Sequence, residues 1–172
     1  DKVVIITGAS SGIGLAMVKE FAGRGSKVVM AARNKEKLKK IEGELKDQGH
    51  ETYTIRTDVT KEDDCRNLIE KTIDKYGRID VFINNAGISM RALFADVNVE
   101  VLKQLMDVNF WGIVYCSKYA IPHLIKTKGS LVGVSSIAGI QGLPGRTGYS
   151  ASKFALHGLL ESIRIENLRN GL

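Results

Sequence analysis

Short apolar runs alternate with longer amphipathic segments along the whole chain. The apolar runs are rich in β-branched residues and have the length of buried strands; they occupy 2–7, 27–32, 52–57, 79–84 and 130–135. Patterns with helical periodicity fill the intervals, at 14–25, 34–49, 61–77, about 97–126 and 149–170. The segment at 97–126 could divide into two helices. Strands that alternate with helices of this length predict a parallel sheet covered by helices on both faces, a three-layer α/β/α fold.

Length and composition support one folded domain over residues 1–172. A chain of 172 residues suits a single sizeable core. Its 44% apolar content argues against disorder, and its longest apolar runs are far too short to span a bilayer. The two cysteines, Cys65 and Cys116, show neither CxxC spacing nor clustering with histidines, which argues against a metal site. We expect free thiols in a reducing cytoplasm.

The formal net charge of +6 raises the possibility of a nucleic-acid partner. The densest basic run, "NKEKLKKIEGELKD" at 34–47, mixes lysines with acids as a solvated helix face does. We therefore expect no nucleic acid, and a modest positive balance also suits an anionic small molecule.

Each predicted strand is followed by a polar or glycine-rich cluster. The clusters are "TGASSGIG", "ARN", "TDVT", "NNAG" and "SSIAG", in chain order. Ligands of doubly wound sheets bind outside the carboxyl ends of the strands. Five such clusters on one rim are hard to explain as ordinary turns, so the sequence predicts a ligand site there.

The first cluster has the features of a phosphate-binding turn. Gly8 permits a sharp exit from the strand, Gly12 lets the backbone approach a ligand, and Gly14 lets the following helix pack closely on the sheet. The N-terminus of that helix then offers unpaired N–H groups to a phosphate. Ser10, Ser11 and Ile13 lie in the same turn and are further candidates for binding a dinucleotide.

The second cluster bears on which dinucleotide is bound. A site that selects the free ribose 2′-hydroxyl uses an acid near this position, whereas here Arg33 stands there, with Lys35 close by. A guanidinium suits a 2′-phosphate, to which Ser10 or Ser11 could add a hydroxyl. We therefore predict NADP(H) in preference to NAD(H). The alternative is that Arg33 simply begins a solvated helix that Asn34 caps.

The third and fourth clusters are compatible with two interpretations. Asp58, next to Val59, could accept a hydrogen bond from the adenine amino group, or could form an Asx-turn or helix cap. In the fourth cluster, small residues and amides suit a close wall against a ribose, but the asparagines could equally hold neighbouring strands together. That cluster consists of Asn84, Asn85, Ala86 and Gly87.

Tyr149 and Lys153 are four residues apart in "YSASK", so on a helix they share a face. An ammonium beside a phenol favours the phenolate and brings its pKa nearer to neutral, where a general acid or base works best. On spacing alone, the two could also be an ordinary helix residue and a solvated lysine.

Taken together and in this order, the motifs resemble those of the classical short-chain dehydrogenase/reductase family. The resemblance covers nearly the whole chain and is carried by the 7–14 turn, "NNAG", Asn109, Ser136 and "YSASK". It implies a Rossmann-like fold. "YSASKFALHGLLESIRIE" and "SSIAG" resemble the hydroxysteroid, retinoid and lipid-carbonyl reductases more than the 3-oxoacyl-carrier-protein reductases.

The family resemblance also implies roles for individual residues. Tyr149 would be the proton donor or base and would also contact the cofactor, and Lys153 would lower the pKa of Tyr149 and hold the nicotinamide ribose. Ser136, thirteen residues before Tyr149, would bind the oxygen of a carbonyl or alcohol substrate, and we prefer it to Ser135. Asn109 would help to connect Lys153 to a water relay.

The resemblance has further implications for assembly and length. The segments around 97–126 and 149–170 would form a homodimer or homotetramer interface. Relatives continue beyond the helix that carries Tyr149 with further strands, so we expect that strands are missing after Leu172. His157 is interpreted as a structural residue, and Trp111 as a residue of the core or of a subunit interface rather than of the substrate wall. A non-catalytic NADP(H)-binding scaffold or redox sensor is the alternative function, and the intact Ser136, Tyr149 and Lys153 argue against it.

Overall fold

A five-stranded parallel sheet forms the centre of the protein. The computed structural model describes residues 2–172. The strands are β1 (Val3–Thr7), β2 (Lys27–Ala32), β3 (Thr52–Arg56), β4 (Val81–Asn84) and β5 (Ser130–Gly133). Their order across the sheet is β3-β2-β1-β4-β5, and every neighbouring pair is parallel. The chain thus winds outward in both directions from β1, as the alternating sequence pattern predicts.

In the part of the chain that the structure describes, six α-helices connect and follow the strands. They are α1 (Gly12–Gly23), α2 (Lys35–Asp47), α3 (Glu62–Tyr76), α4 (Val99–Met106), α5 (Gly112–Thr127) and α6 (Thr147–Glu166). The side chain of Asn34 caps α2 by accepting a hydrogen bond from the N–H of Lys37, as predicted. Within residues 2–172, no helix combines the length and the apolar character needed to cross a membrane.

Some boundaries differ from those that the sequence pattern predicts. The region expected to be one or two helices at 97–126 consists of α4, a π-helical segment at Asp107–Trp111, and α5. Helix α6 begins at Thr147 and ends at Glu166, after which Leu168–Asn170 forms a separate 3₁₀ turn. Strand β5 ends at Gly133, so 134–136 lie in the loop that leads to the rim.

Apolar side chains fill both faces of the sheet, because successive residues of a strand point to opposite sides. On one face, Val3 and Ile5 belong to a cluster that includes residues of α3 and α5. On the other, Val4 and Ile6 belong to a cluster with residues of α1 and α2. All five residues of β1 are buried. The three-layer arrangement predicted from the sequence is therefore confirmed.

The two cysteines are free thiols, as expected, and both are buried. Cys65 of α3 and Cys116 of α5 meet in the core, although they are far apart in sequence. A hydrogen bond with Cys65, together with burial, raises the pKa of the Cys116 thiol well above its usual value.

Asp80 joins the amino ends of the three strands on one side of the sheet. Its carboxylate accepts hydrogen bonds from the backbone N–H of Val3 at 2.8 Å and from two guanidinium nitrogens of Arg78 at 2.6 and 3.0 Å. Its own backbone N–H donates to the carbonyl of Val3, and its carbonyl accepts from Ser130. One nearly buried residue thus fixes β1, β4 and β5 together.

We expect Asp80→Asn to lower the free energy of unfolding by about 2 kcal/mol at neutral pH, since charge-assisted bonds to a buried carboxylate are lost. Urea denaturation measures this, with Glu44→Gln, on the exposed side of α2, as the control.

Burial raises the pKa of Asp80, but the bonds from Arg78 and Val3 and the charge of Lys2 hold it below its ordinary value.

The pH dependence follows from that lowered pKa. The stabilisation is complete above the ordinary carboxyl pKa of about 4 and is lost as the pH falls through the lower value of the folded state. The difference between wild type and Asp80→Asn should therefore shrink below about pH 4. A difference that stays constant into strong acid would contradict this account.

Candidate active site

The carboxyl ends of the strands border a groove of about 420 Å³. All of the residues predicted to bind a cofactor line it, except Gly12, Tyr149 and Lys153. Ala32, Asn34 and Thr57 also line it; they lie in the predicted clusters but were not assigned a role in binding, whereas Ile88 and Val108 were missed. Ile88 follows directly after "NNAG" and Val108 precedes Asn109, so their positions beside the motifs were the only available signal.

Two glycines of the first turn are required by close packing. Gly8 has a φ of +67°, and a Cβ there would lie 2.9 Å from the Cα of Ala86. A Cβ on Gly14 would lie 2.3 Å from the carbonyl oxygen of Gly8. Any side chain at either position would push the turn away from β4 or from α1. The packing role predicted for Gly14 is therefore visible in its surroundings.

The amino end of α1 faces the groove with its backbone donors available. Ser11 occupies the N-cap position in extended conformation, but its side chain makes no capping hydrogen bond. Gly12 has a φ of +53°, with open space where a Cβ would be. The first N–H groups of a helix have no partner within the helix, and their partial positive charge favours an anion. This arrangement fits a phosphate group.

Thr7, which sequence analysis did not select, joins the ends of β1 and β4. Its hydroxyl oxygen accepts hydrogen bonds from the backbone N–H groups of Asn85 and Ala86, each at 3.0 Å. The side-chain amide of Asn85 donates to the carbonyl of Thr7 at 2.9 Å. The side chain of Asn85 therefore holds neighbouring strands together, which was the structural alternative.

Arg33 and Asp58 lie at the far end of the groove, beyond β2 and β3. Burial raises the pKa of Asp58, but hydrogen bonds from Thr60 and the positive charges of Arg33 and Lys61 outweigh it and lower the pKa overall. One carboxylate oxygen accepts from both the backbone N–H and the hydroxyl of Thr60, at 3.1 and 2.8 Å. Asp58 therefore forms the Asx-turn that the sequence left open, with the exposed Arg33 near it.

Tyr149 and Lys153 share a face of α6, as their spacing predicts. The ammonium nitrogen of Lys153 lies 5.7 Å from the centre of the Tyr149 ring. Lys153 is only 5% exposed and donates a hydrogen bond to the carbonyl of Val134 at 2.7 Å. Burial lowers the pKa of Lys153, because desolvation disfavours the charged form. A Cβ on Gly87, in the groove wall, would be 3.9 Å from the same nitrogen, so Lys153 borders the groove from behind.

The two serines after β5 have different partners. The Ser136 oxygen accepts a hydrogen bond from the backbone N–H of Ala138 at 3.2 Å and caps the 3₁₀ turn Ile137–Gly139. This bond uses a lone pair of the Ser136 oxygen and does not engage its hydroxyl proton. Ser135 instead contacts the Nε2 of His157 at 2.6 Å. These partners support the preference for Ser136.

Asn109 lies fully buried in the π-helical segment. Its side-chain amide bonds to the backbone of Ile88 in both directions, accepting at 2.8 Å and donating at 2.9 Å. It also donates to the hydroxyl of Ser152, which in turn donates to the carbonyl of Tyr149. Asn109 thus connects the groove wall to α6 through protein groups.

Comparison with known proteins shows to which protein family the chain belongs. A sequence model of the family described as short chain dehydrogenase matches residues 2–172, and the chain belongs to this family. It is 45% identical over 168 residues to the uncharacterized oxidoreductase YxnA of Bacillus subtilis (strain 168), covering 96% of this chain and 47% of that protein. It is 38% identical over 167 residues to 11-beta-hydroxysteroid dehydrogenase A of Sesamum indicum, covering 96% of this chain and 48% of that protein. The predicted resemblance to hydroxysteroid-type members is confirmed.

Solved structures share the fold. An alcohol dehydrogenase from the archaeon Thermococcus sibiricus, complexed with 5-hydroxy-NADP, has a TM-score of 0.94 at 30% identity, over 96% of this chain and 71% of that one. A short chain dehydrogenase/reductase from Burkholderia phymatum, in complex with NAD, has a TM-score of 0.93 at 28% identity, over 99% and 61%. The chain spans about half the length of the curated relatives named above.

We expect Gly14→Ala to destabilise the protein by about 1–3 kcal/mol, because its Cβ would overlap the carbonyl of Gly8 and force the turn to move. Gly43→Ala is the matched control, since Gly43 is an exposed position within α2 with open space around a Cβ. The free energy of unfolding of the Gly43→Ala control should rise by about 0.5–1 kcal/mol. Chemical denaturation compares the two, and equal effects of the two substitutions would refute the packing argument.

Proposed function

We propose that residues 1–172 form the dinucleotide-binding and catalytic domain of an oxidoreductase that transfers a hydride between NADP(H) and a carbonyl or secondary alcohol. The observation that carries this proposal is the meeting of two sets of residues at Gly87. On one side of Gly87 lies the groove with its glycine turn and the open end of α1. On the other lies Lys153, which shares a helix face with Tyr149.

The groove residues fit a dinucleotide with a 2′-phosphate. The N–H groups at the start of α1 would bind the pyrophosphate, and the backbone of Ala86 and Gly87 would border a ribose. Arg33 stands where a 2′-hydroxyl site has an acid, and its exposed guanidinium would bind the extra phosphate. Ser10, Ser11, Ile13 and Val59 would complete the walls. When bound, NADPH supplies the hydride.

Tyr149 and Ser136 act on the substrate oxygen in this proposal. Both hydroxyls donate hydrogen bonds to it, where negative charge develops during reduction. Tyr149 then gives up its phenolic proton, and in the reverse direction its phenolate accepts a proton from the alcohol. The ammonium of Lys153, 5.7 Å from the centre of the ring, would interact favourably with the negative charge that Tyr149 carries once its proton has left. Ser136 can donate to the substrate while its oxygen accepts from Ala138, since a hydroxyl does both at once.

Lys153 and Asn109 complete the catalytic set that we propose. Lys153 would bind the nicotinamide ribose as well as influence Tyr149. Asn109 would hold the groove wall and α6 in place and help to connect Lys153 to solvent. Support for this comes from Gly87, since a Cβ there would be 3.3 Å from the amide oxygen of Asn109 and 3.9 Å from the Lys153 nitrogen.

The assembly that we propose is a homodimer or homotetramer through α4, α5 and α6. Aromatic side chains support this proposal: Trp111 is 44% exposed and stacks on Tyr115, and Phe154 of α6 is 46% exposed.

A cytoplasmic location is our proposal on the basis of two free core thiols, Cys65 and Cys116.

The cofactor preference is tested by replacing Arg33. We expect the wild type to bind NADPH at least about tenfold more tightly than NADH, and Arg33→Ala to lose most of that difference, since a charge-assisted pair with the 2′-phosphate is removed. Cofactor fluorescence gives both affinities. Arg91→Ala is the control, because Arg91 is exposed but does not line the groove. A preference that survives Arg33→Ala would remove the basis for NADP(H).

The chemical role of Tyr149 is tested by removing its phenolic oxygen. Tyr149→Phe should lower turnover of carbonyl substrates by about 10²- to 10⁴-fold, the usual contribution of a general acid, while leaving NADPH binding intact. Steady-state rates over a broad panel of ketones and aldehydes give the comparison. If the wild type binds NADPH and turns over none of them, the non-catalytic scaffold or sensor becomes the better description.

A further inference from the structure

Helix α6 makes a second, previously unassigned connection to the segment after β5. Tyr149, Lys153 and His157 follow one another at intervals of four residues, so they form a column on one side of the helix. Lys153 donates to the carbonyl of Val134, and His157 contacts the hydroxyl of Ser135 through Nε2 at 2.6 Å. Two consecutive residues of the loop are thus attached to two consecutive turns of the helix.

A glycine packs against one side of the contact between Ser135 and His157, which is otherwise exposed to solvent. A Cβ on Gly139 would lie 2.8 Å from the Ser135 hydroxyl oxygen and 2.9 Å from the His157 ring. The 3₁₀ turn Ile137–Gly139 therefore packs directly against the pair, and it can approach so closely only because residue 139 has no side chain. Three separate segments, namely the loop after β5, the 3₁₀ turn and α6, meet at this hydrogen bond.

We propose that His157 is a positioning residue, which holds Ser135 so that the adjacent Ser136 stays aligned with Tyr149. This inference rests on the proposed function, in which the hydroxyls of Ser136 and Tyr149 must both reach one substrate oxygen. Tyr149 is fixed by α6, whereas Ser136 lies in a loop whose position depends on its neighbours. The bond through Ser135 transmits the position of the helix to that loop.

The other connection is shared with the cofactor. Lys153 is also proposed to bind the ribose, so the three N–H donors of its ammonium would serve both that ribose and the carbonyl of Val134. The side chain of His157 has no such second role in the mechanism. The His157 bond can therefore hold the loop in every stage of the reaction.

The chemistry of the contact indicates which substitutions can replace it. A neutral imidazole nitrogen either accepts from a hydroxyl or donates to it, depending on the tautomer, and a serine hydroxyl can do both. The side-chain amide of glutamine can also do both, with its terminal atoms near the position of Nε2. Leucine has a similar bulk but can do neither.

The experiment compares His157→Leu, His157→Gln, Ser135→Ala and the double variant His157→Leu/Ser135→Ala, all made in the natural polypeptide that carries this chain. We expect His157→Leu and Ser135→Ala each to lower kcat about tenfold or more, because small misplacements of reacting groups are costly. KM, the Kd for NADPH and the melting temperature should change little. His157→Gln should retain most of the activity, and the double variant should be no worse than either single one.

Ser162→Ala is the matched control, since it removes another hydroxyl hydrogen bond from the exposed side of α6. Full activity of His157→Leu in an enzyme that Tyr149→Phe inactivates would overturn the inference and leave the proposed function standing. Additive losses in the double variant, or losses that follow the melting temperature, would also overturn it. An ¹⁵N signal of the His157 ring that does not respond to Ser135→Ala would refute the contact itself, independently of any activity. Absence of carbonyl turnover in the wild type would instead remove the proposed function, and this inference with it.

Discussion

The hydrogen bonds that Thr7 accepts from the end of β4 are the interaction on which the rest of the site depends. They bring the carboxyl ends of β1 and β4 together at one level of the sheet. Gly8 can then lie against Ala86, and Gly14 against Gly8, which directs the open end of α1 at the groove. The groove wall that follows β4 is held in turn by Asn109, whose contacts lead to α6. Displacement of Thr7 would therefore disturb both the dinucleotide end and the Tyr149 end of the cleft.

The architecture was predictable because its causes are local. Burial of a parallel sheet on both faces requires short, continuous apolar runs, and such runs can be recognised in the sequence. Strand β2, for example, has the predicted limits of 27–32. The ends of elements were less predictable. The sequence pattern predicts that β5 continues to 135, but the strand ends at Gly133. Val134 still donates its N–H to the carbonyl of Asn84, while its own carbonyl accepts from Lys153 and the Ser135 side chain contacts His157. No periodicity in the sequence records such long-range contacts.

The candidate site also has features that the sequence predicts and features that it does not. Spacing alone places Tyr149 and Lys153 on one helix face, and chain order alone brings the glycine turn to the rim. By contrast, Thr7 and Val108 were missed, because their importance comes from partners far away in sequence. For Asp58 and Asn85 the sequence left a ligand role and a structural role open, and the structure shows a structural partner for each side chain: Thr60 nearby and Thr7 far away in sequence. Polar residues at a strand end can serve the ligand or the scaffold, and only the geometry distinguishes the two.

The π-helical segment at Asp107–Trp111 has a consequence for how this chain can change in length. A turn of this kind contains one more residue than an α-helical turn, so it shifts the angular phase of everything beyond it by about 100°. That shift lets α4 pack on α6 while α5 packs on α3. A deletion of one residue in this segment would restore a regular helix. It would rotate either α4 away from α6 or α5 away from α3. The number of residues in this segment is therefore constrained as strictly as the identity of Asn109.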